Sequence, residues 1–161
     1  MKGLVLQVNL SPGGLPKRPV PEALLTPLGF EGDSVAHPAI HGGPHKAVLL
    51  VTAETTDELI ALGYPLFYGA LGENLTTRGL DRRQLRPGMR LRAGQAFLEI
   101  TRLRTPCTSL DVYGPQIKDE IFRKDAAPGD PIWGMAGFYA SVARPGWVRA
   151  GDIIWVVDAA V

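Results

Sequence analysis

Gln95-Ala96-Phe97-Leu98-Glu99-Ile100-Thr101-Arg102-Leu103-Arg104-Thr105-Pro106-Cys107 is the stretch on which the fold turns. Side chains alternate faces along a β-strand, so Leu98, Ile100, Arg102 and Arg104 are expected on one face that begins apolar and ends in two guanidinium groups. Pro106 fixes its own φ and keeps Thr105 out of helical geometry, so the strand should run extended into a stiff turn that presents the Cys107 thiol beside fixed positive charge. Working outward from residues 95–104, glycine and proline cut the chain into further short segments of strand character at 3–9, 46–51, 89–92, 138–142 and 152–157. Two segments read as helix. Thr55 stands three residues before Glu58 as a capping box with a stop at Gly63 and Pro65, and residues 116–125 place Ile117, Ile121 and Phe122 at helical spacing. The expectation is a mostly β fold, barrel or sandwich, with a few short peripheral helices.

At 161 residues the chain is the size of one domain, and 1–161 is read as a single unit. Seventeen Lys and Arg against sixteen Asp and Glu leave a formal charge of +1, without the positive field that general nucleic-acid binding favours. One cysteine, Cys107, excludes an internal disulfide and a multi-cysteine zinc or iron–sulfur site within one chain, and a reducing compartment is the simpler reading. The first nine residues read as a strand and not as a leader, and the longest apolar runs, 47–51 and 153–157, fall far short of the roughly 18 residues that cross a bilayer. A cytoplasmic protein with no membrane and no nucleic-acid partner is expected.

Cys107 is the first chemical candidate, because neighbouring cations favour the thiolate that acts as nucleophile or soft-metal ligand; the alternative is an inert, buried thiol. The second is His41-Gly42-Gly43-Pro44-His45-Lys46, where two glycines let backbone N–H groups approach an anion and Lys46 adds a charge. It is not a P-loop, since its spacing is wrong and a strand follows, and a plain inter-strand turn is the alternative. His37, His41 and His45 recur every four residues, but the prolines and glycines between them forbid the helix on which that spacing would make a metal face. Eight arginines between Arg78 and Arg104 form either an anion or docking surface or a solvated sheet face. Gly72-Glu73-Asn74-Leu75-Thr76-Thr77 reads as a polar turn leading into a strand.

Taken in order, Gly29-Phe30-Glu31-Gly32-Asp33, His41-Gly42-Gly43-Pro44-His45-Lys46-Ala47-Val48, Gly72-Glu73-Asn74-Leu75-Thr76-Thr77, Arg104-Thr105-Pro106-Cys107, and Gly137-Phe138-Tyr139-Ala140 with Pro145-Gly146 and Gly151-Asp152 resemble the MOSC domain family, named for the C-terminal domain of molybdenum-cofactor sulfurase. Ser141 stands where many members carry a basic residue. The resemblance implies a barrel-like β fold and chemistry centred on Cys107. Some members hold the pyranopterin molybdenum cofactor through the cysteine and reduce N-hydroxylated small molecules with electrons from a separate flavin or iron–sulfur protein. Others are thought to carry sulfur as a cysteine persulfide for metal–sulfur cluster assembly. By this resemblance Cys107 is the catalytic residue and molybdenum ligand, while Lys46, His41, Gly42, Gly43 and Arg104 bind the phosphate or pterin. Asn74 and Thr76 are expected at the ring edge, and Arg102 joins the set from strand geometry alone. A non-catalytic anion-binding or interaction domain with a buried Cys107 is the third possibility, and pyridoxal phosphate is not expected.

Overall fold

The strand around Ile100 does form, and it carries the site at its C-terminal end. The computed structural model describes residues 1–34 and 42–157. In chain order its elements are β1 (Lys2–Leu10), β2 (Arg18–Val20), β3 (Glu22–Thr26), β4 (Gly29–Phe30), β5 (Val48–Thr52), α1 (Ala53–Ala61), β6 (Leu75–Arg78), β7 (Arg90–Ala93), β8 (Ala96–Leu103), α2 (Ile117–Ile121), β9 (Phe138–Arg144), β10 (Gly146–Arg149) and β11 (Ile153–Val157). Three 3-10 turns, Pro44–Lys46, Arg82–Gln84 and Thr108–Tyr113, lie between them.

Strands β11, β7, β8, β9, β5, β6 and β1 pair in that order, and β11 pairs back onto β1, which closes a seven-stranded barrel. The barrel is mixed: β5 and β6 run parallel, with α1 as the crossover between them, and the other pairings are antiparallel. Closure leaves no unpaired edge in the wall, which is how a short-stranded sheet avoids templating another chain. A small second sheet, β10-β3-β4, stands beside the barrel, and among the described residues β2 pairs only with the end of β1. Alternation fills the interior: Leu91, Leu98, Ile100, Val48, Leu50, Leu75, Val5 and Ile154 form the main core. A second core, on the outer side of β5, packs Val51 against Leu59 of α1, Leu110, and Ile117 and Ile121 of α2. No helix among the described residues is long and apolar enough to cross a membrane.

All six expected strands are present, with shifted ends. Lys46 belongs to a 3-10 turn and not to the strand, because Gly43 at φ 85° and Pro44 at the turn's first position start a helical turn before β5 begins. The capping residue of α1 is Thr52, whose hydroxyl accepts from the Thr55 N–H at 3.4 Å, so the helix starts as soon as β5 ends, earlier than the Thr55–Glu58 box suggests. Helix α2 is shorter than residues 116–125: once Ile117 and Ile121 are buried one turn apart, Phe122 turns extended.

Strand β8 departs from simple alternation at one point. Its register against β9 shifts between Ile100 and Arg102, so that Arg102 faces Tyr139 and Leu103 faces Phe138. This bulge overturns the expectation that Arg102 and Arg104 share the face of Leu98 and Ile100. Leu103 packs on the core, Arg102 is exposed, and Arg104 is buried just past the strand end.

Candidate functional site

Opposite one another in register, Leu49 of β5 and Tyr139 of β9 lie on the outer face of the barrel wall. They line a cavity of about 540 Å³, of the size that single small ligands fill. Loops of unrelated sequence position build the rest of it: the β1–β2 loop, the β3–β4 turn, the glycine-rich segment before β5, and the Thr108–Tyr113 turn that follows Cys107.

Cys107 lines this cavity, partly open to solvent, where the extended run through Pro106 delivers it. Its sulfur lies 2.7 Å from the Ser109 hydroxyl. Burial pushes the thiol up, but the Ser109 hydroxyl and backbone N–H, together with the Arg104 guanidinium, outweigh burial and hold it below its ordinary value. Arg104 lines the same cavity with only 5% of its surface exposed, and its Nη1 finds no hydrogen-bond partner. Desolvation disfavours its charge, while Tyr139, Cys107 and Glu73 stand near enough to favour it. Lys46 also lines the cavity, its ammonium 5.3 Å from the centre of the Tyr139 ring. Gly42 and Gly43 line it too, both at positive φ.

Other predicted ligands have different duties. Asn74 borders the cavity, but its amide is committed: Oδ1 accepts from the Leu49 N–H at 3.1 Å, and Nδ2 donates to the Asn9 carbonyl at 3.3 Å and to Asp33 Oδ2 at 2.9 Å. It ties β1 and β5 to the loop carrying Asp33 and so braces the wall. Thr76 is fully buried away from the cavity, donating to Glu73 Oε2 at 3.1 Å and accepting from Asn9 Nδ2 at 3.0 Å. Arg102 is not among the cavity residues, for the reason the bulge gives. His41 lies outside the described residues, as does His37, so the histidine spacing is not represented here.

Sequence reading missed several members. Lys17 and Asp33 form a buried ion pair on the cavity wall, Nζ to Oδ1 2.7 Å, with Ser11 Oγ at 3.3 Å and the Ser34 carbonyl at 3.2 Å completing the lysine's bonds. Glu73 is wholly buried; desolvation pushes its carboxyl up to about 7, against backbone bonds from Glu73 and Gly69, the Thr76 hydroxyl and Arg104. Ser109 sits two residues past the cysteine, and Tyr139 and Asp33 stand inside motifs that carried the resemblance, so each had a local signal. Lys17 had none. The arginine run disperses: Arg82 is buried on Thr55 Oγ1, the Trp133 carbonyl and Glu58, whereas Arg78 and Arg83 pair with Asp57 and Asp81 at the surface. Among the described residues no three His, Cys, Asp or Glu side chains are grouped to hold a metal.

Residues 37–155 match the MOSC domain family. The chain belongs to the MOSC domain family. It is 34% identical over 143 residues to the Bacillus subtilis protein YflK, covering 86% of this chain and 60% of YflK. It is 31% identical over 137 residues to the Escherichia coli protein YiiM, covering 80% of this chain and 56% of YiiM. This MOSC chain therefore spans less than two thirds of the length of both relatives. The crystal structure of YiiM from Geobacillus stearothermophilus superposes with a TM-score of 0.74 at 23% identity, over 99% of this chain and 77% of that one, a likeness of fold.

Proposed function

We propose that this MOSC domain holds a phosphorylated pterin–molybdenum cofactor in the cavity, with Cys107 on the metal, and reduces N-hydroxylated compounds with electrons from a separate flavin or iron–sulfur protein. Arg104 carries the reading. A guanidinium buried on a cavity wall with an unpartnered nitrogen is costly unless an anion meets it. The donor set fits such a group in a second way. A metal at Cys107 finds no cluster of further protein ligands among the described residues, and a dithiolene-bearing pterin brings ligands of its own.

When bound, that cofactor supplies a two-electron centre able to accept oxygen from nitrogen. The net change is R–NH–OH plus two electrons and two protons giving R–NH2 and water, with the electrons from the external donor and the protons from solvent. The protein's own residues bind and orient. Arg104 and Lys46, with the Gly42–Gly43 backbone, hold the phosphate or pterin; Ser109 favours the thiolate form of Cys107; Asn74 and the Lys17–Asp33 pair fix the wall. Asn74 and Thr76 take no part in ligand binding on this reading, because their polar atoms are committed to the protein.

Molybdenum and pterin per chain, measured in wild type and Cys107→Ser purified from a host that makes the cofactor, test this. Near-stoichiometric metal lost in the variant supports it; neither metal nor pterin in wild type overturns it. The open edge of the Cys107 thiol favours one second reading, a persulfide carrier that takes sulfane sulfur from a donor persulfide. That protein shows a mass gain of one sulfur, absent from Cys107→Ser.

A further inference from the structure

Among the described residues the two most exposed large apolar side chains are Val112 at 74% and Leu28 at 73%, and both line the cavity that contains Cys107. Isolated apolar residues on a surface are ordinary. These two come from loops far apart in sequence and border one cavity.

Neither is demanded by its own turn. Between β3 and β4 the turn is set by Thr26, whose hydroxyl donates to the Gly29 carbonyl at 2.7 Å and accepts from the Leu28 N–H at 3.4 Å, so the side chain at 28 has no structural duty there. The turn after Cys107 is anchored by fully buried Leu110 and by Tyr113, whose hydroxyl donates to the Ala70 carbonyl at 2.6 Å; Val112 stays outside. Polar residues would serve both turns equally well and would dissolve better.

The cavity is divided chemically. Lys17 and Asp33 on its wall neutralise one another, which leaves its positive charge at Arg104, next to the thiol, and at Lys46. A volume of about 540 Å³ suits one small ligand, and Leu28 and Val112, the most exposed apolar side chains of its lining, are where a second molecule would meet it. We infer that Leu28 and Val112 form an apolar lip that selects reacting molecules carrying an aromatic ring or aliphatic chain next to the N–OH group. The identity of the reacting group rests on the function proposed above; the lip is a property of the cavity itself.

Calorimetric titration tests it with two uncharged probes, benzamidoxime and acetamidoxime, on the protein as isolated and without an electron donor, so that nothing turns over. Wild type is expected to bind benzamidoxime about tenfold more tightly, the factor that covering roughly 60 Å² of apolar surface provides. In Leu28→Ser/Val112→Ser the preference disappears, with metal content and melting temperature unchanged. Equal affinities in wild type, or a preference that survives the double substitution, overturn the lip. So does sedimentation showing a wild-type dimer that the variant abolishes without loss of probe selectivity, since the residues then serve a contact between copies. Absence of molybdenum in the same sample counts against the proposed function alone, because the titration still reads the lip.

Discussion

Replacing Glu73 by Gln separates the cost of a buried charge from the rest of the fold. Glu73 is fully buried, with Oε1 unpartnered and Oε2 receiving the Thr76 hydroxyl, and burial raises its carboxyl from 4.5 to about 7. In the unfolded chain the carboxyl ionises near its ordinary value, so between about pH 4.5 and 7 the native state binds more protons than the unfolded state. Stability is then fully present below that window and is lost as pH rises through it. Each tenfold change in proton affinity corresponds to about 1.4 kcal/mol, so the loss reaches about 3 kcal/mol by pH 8. For a domain of this size that is a fall of roughly 6–12 °C in melting temperature attributable to one group. Urea denaturation of wild type and Glu73→Gln at half-unit steps from pH 4.5 to 8 reads the effect as a difference of slopes. Glutamine preserves the acceptor for Thr76 and cannot ionise, so a constant offset between the proteins is immaterial. Parallel curves across the window would refute the burial argument.

Two other substitutions probe the cavity wall and the thiol. Ser109→Ala removes a hydrogen bond to the Cys107 thiolate, and alkylation by iodoacetamide at pH 7 is expected to slow by about tenfold, the effect of losing one bond to a charged group. Lys17→Ala leaves Asp33 buried without its cation and should cost about 3–5 kcal/mol in urea denaturation, while Lys17→Met/Asp33→Asn, which removes both charges, recovers much of that loss.

What was legible in the sequence was local. Period-two alternation marked β8, and the proline before the cysteine marked the extended presentation of the thiol, because both act through neighbouring residues. The bulge was not legible: the Thr101 hydroxyl reaches the carbonyls of His45 and Tyr139, 56 and 38 residues away, and nothing in 95–104 announces partners that distant. The hydrogen bonds of Asn74 were hidden for the same reason. An amide just after a Gly-Glu pair looks available for a ligand until its three partners, 25, 65 and 41 residues off, are seen to claim it. Nothing local marks Lys17, and only the fold of the β1–β2 loop onto the loop after β4 makes it a buried pair with Asp33. Short-range chemistry placed the thiol; the wall around it is tertiary.

Among the described residues three cations are buried, Lys17, Arg82 and Arg104, and they differ in how the chain answers them. Lys17 is met by Asp33, and Arg82, elsewhere in the fold, by Thr55, a carbonyl and Glu58. Arg104 keeps an unpartnered nitrogen, and a guanidinium does not shed its proton to relieve burial. Four acidic groups interact with it: Tyr139, Cys107, Glu73 and Tyr113. Glu73, Tyr139 and Tyr113 are pushed up by desolvation, whereas the Cys107 thiol is drawn down. The Cys107 sulfur, shifted toward its thiolate form, is thus the group within the chain whose ionisation the site favours beside Arg104. A free anion arriving at Arg104 would screen the guanidinium from the thiolate and repel the sulfur, setting the two halves of the site against each other. A molecule that presents an anion to Arg104 and a soft metal to Cys107 would satisfy both at once, and this is the electrostatic argument for the proposed metal–pterin phosphate over phosphate alone.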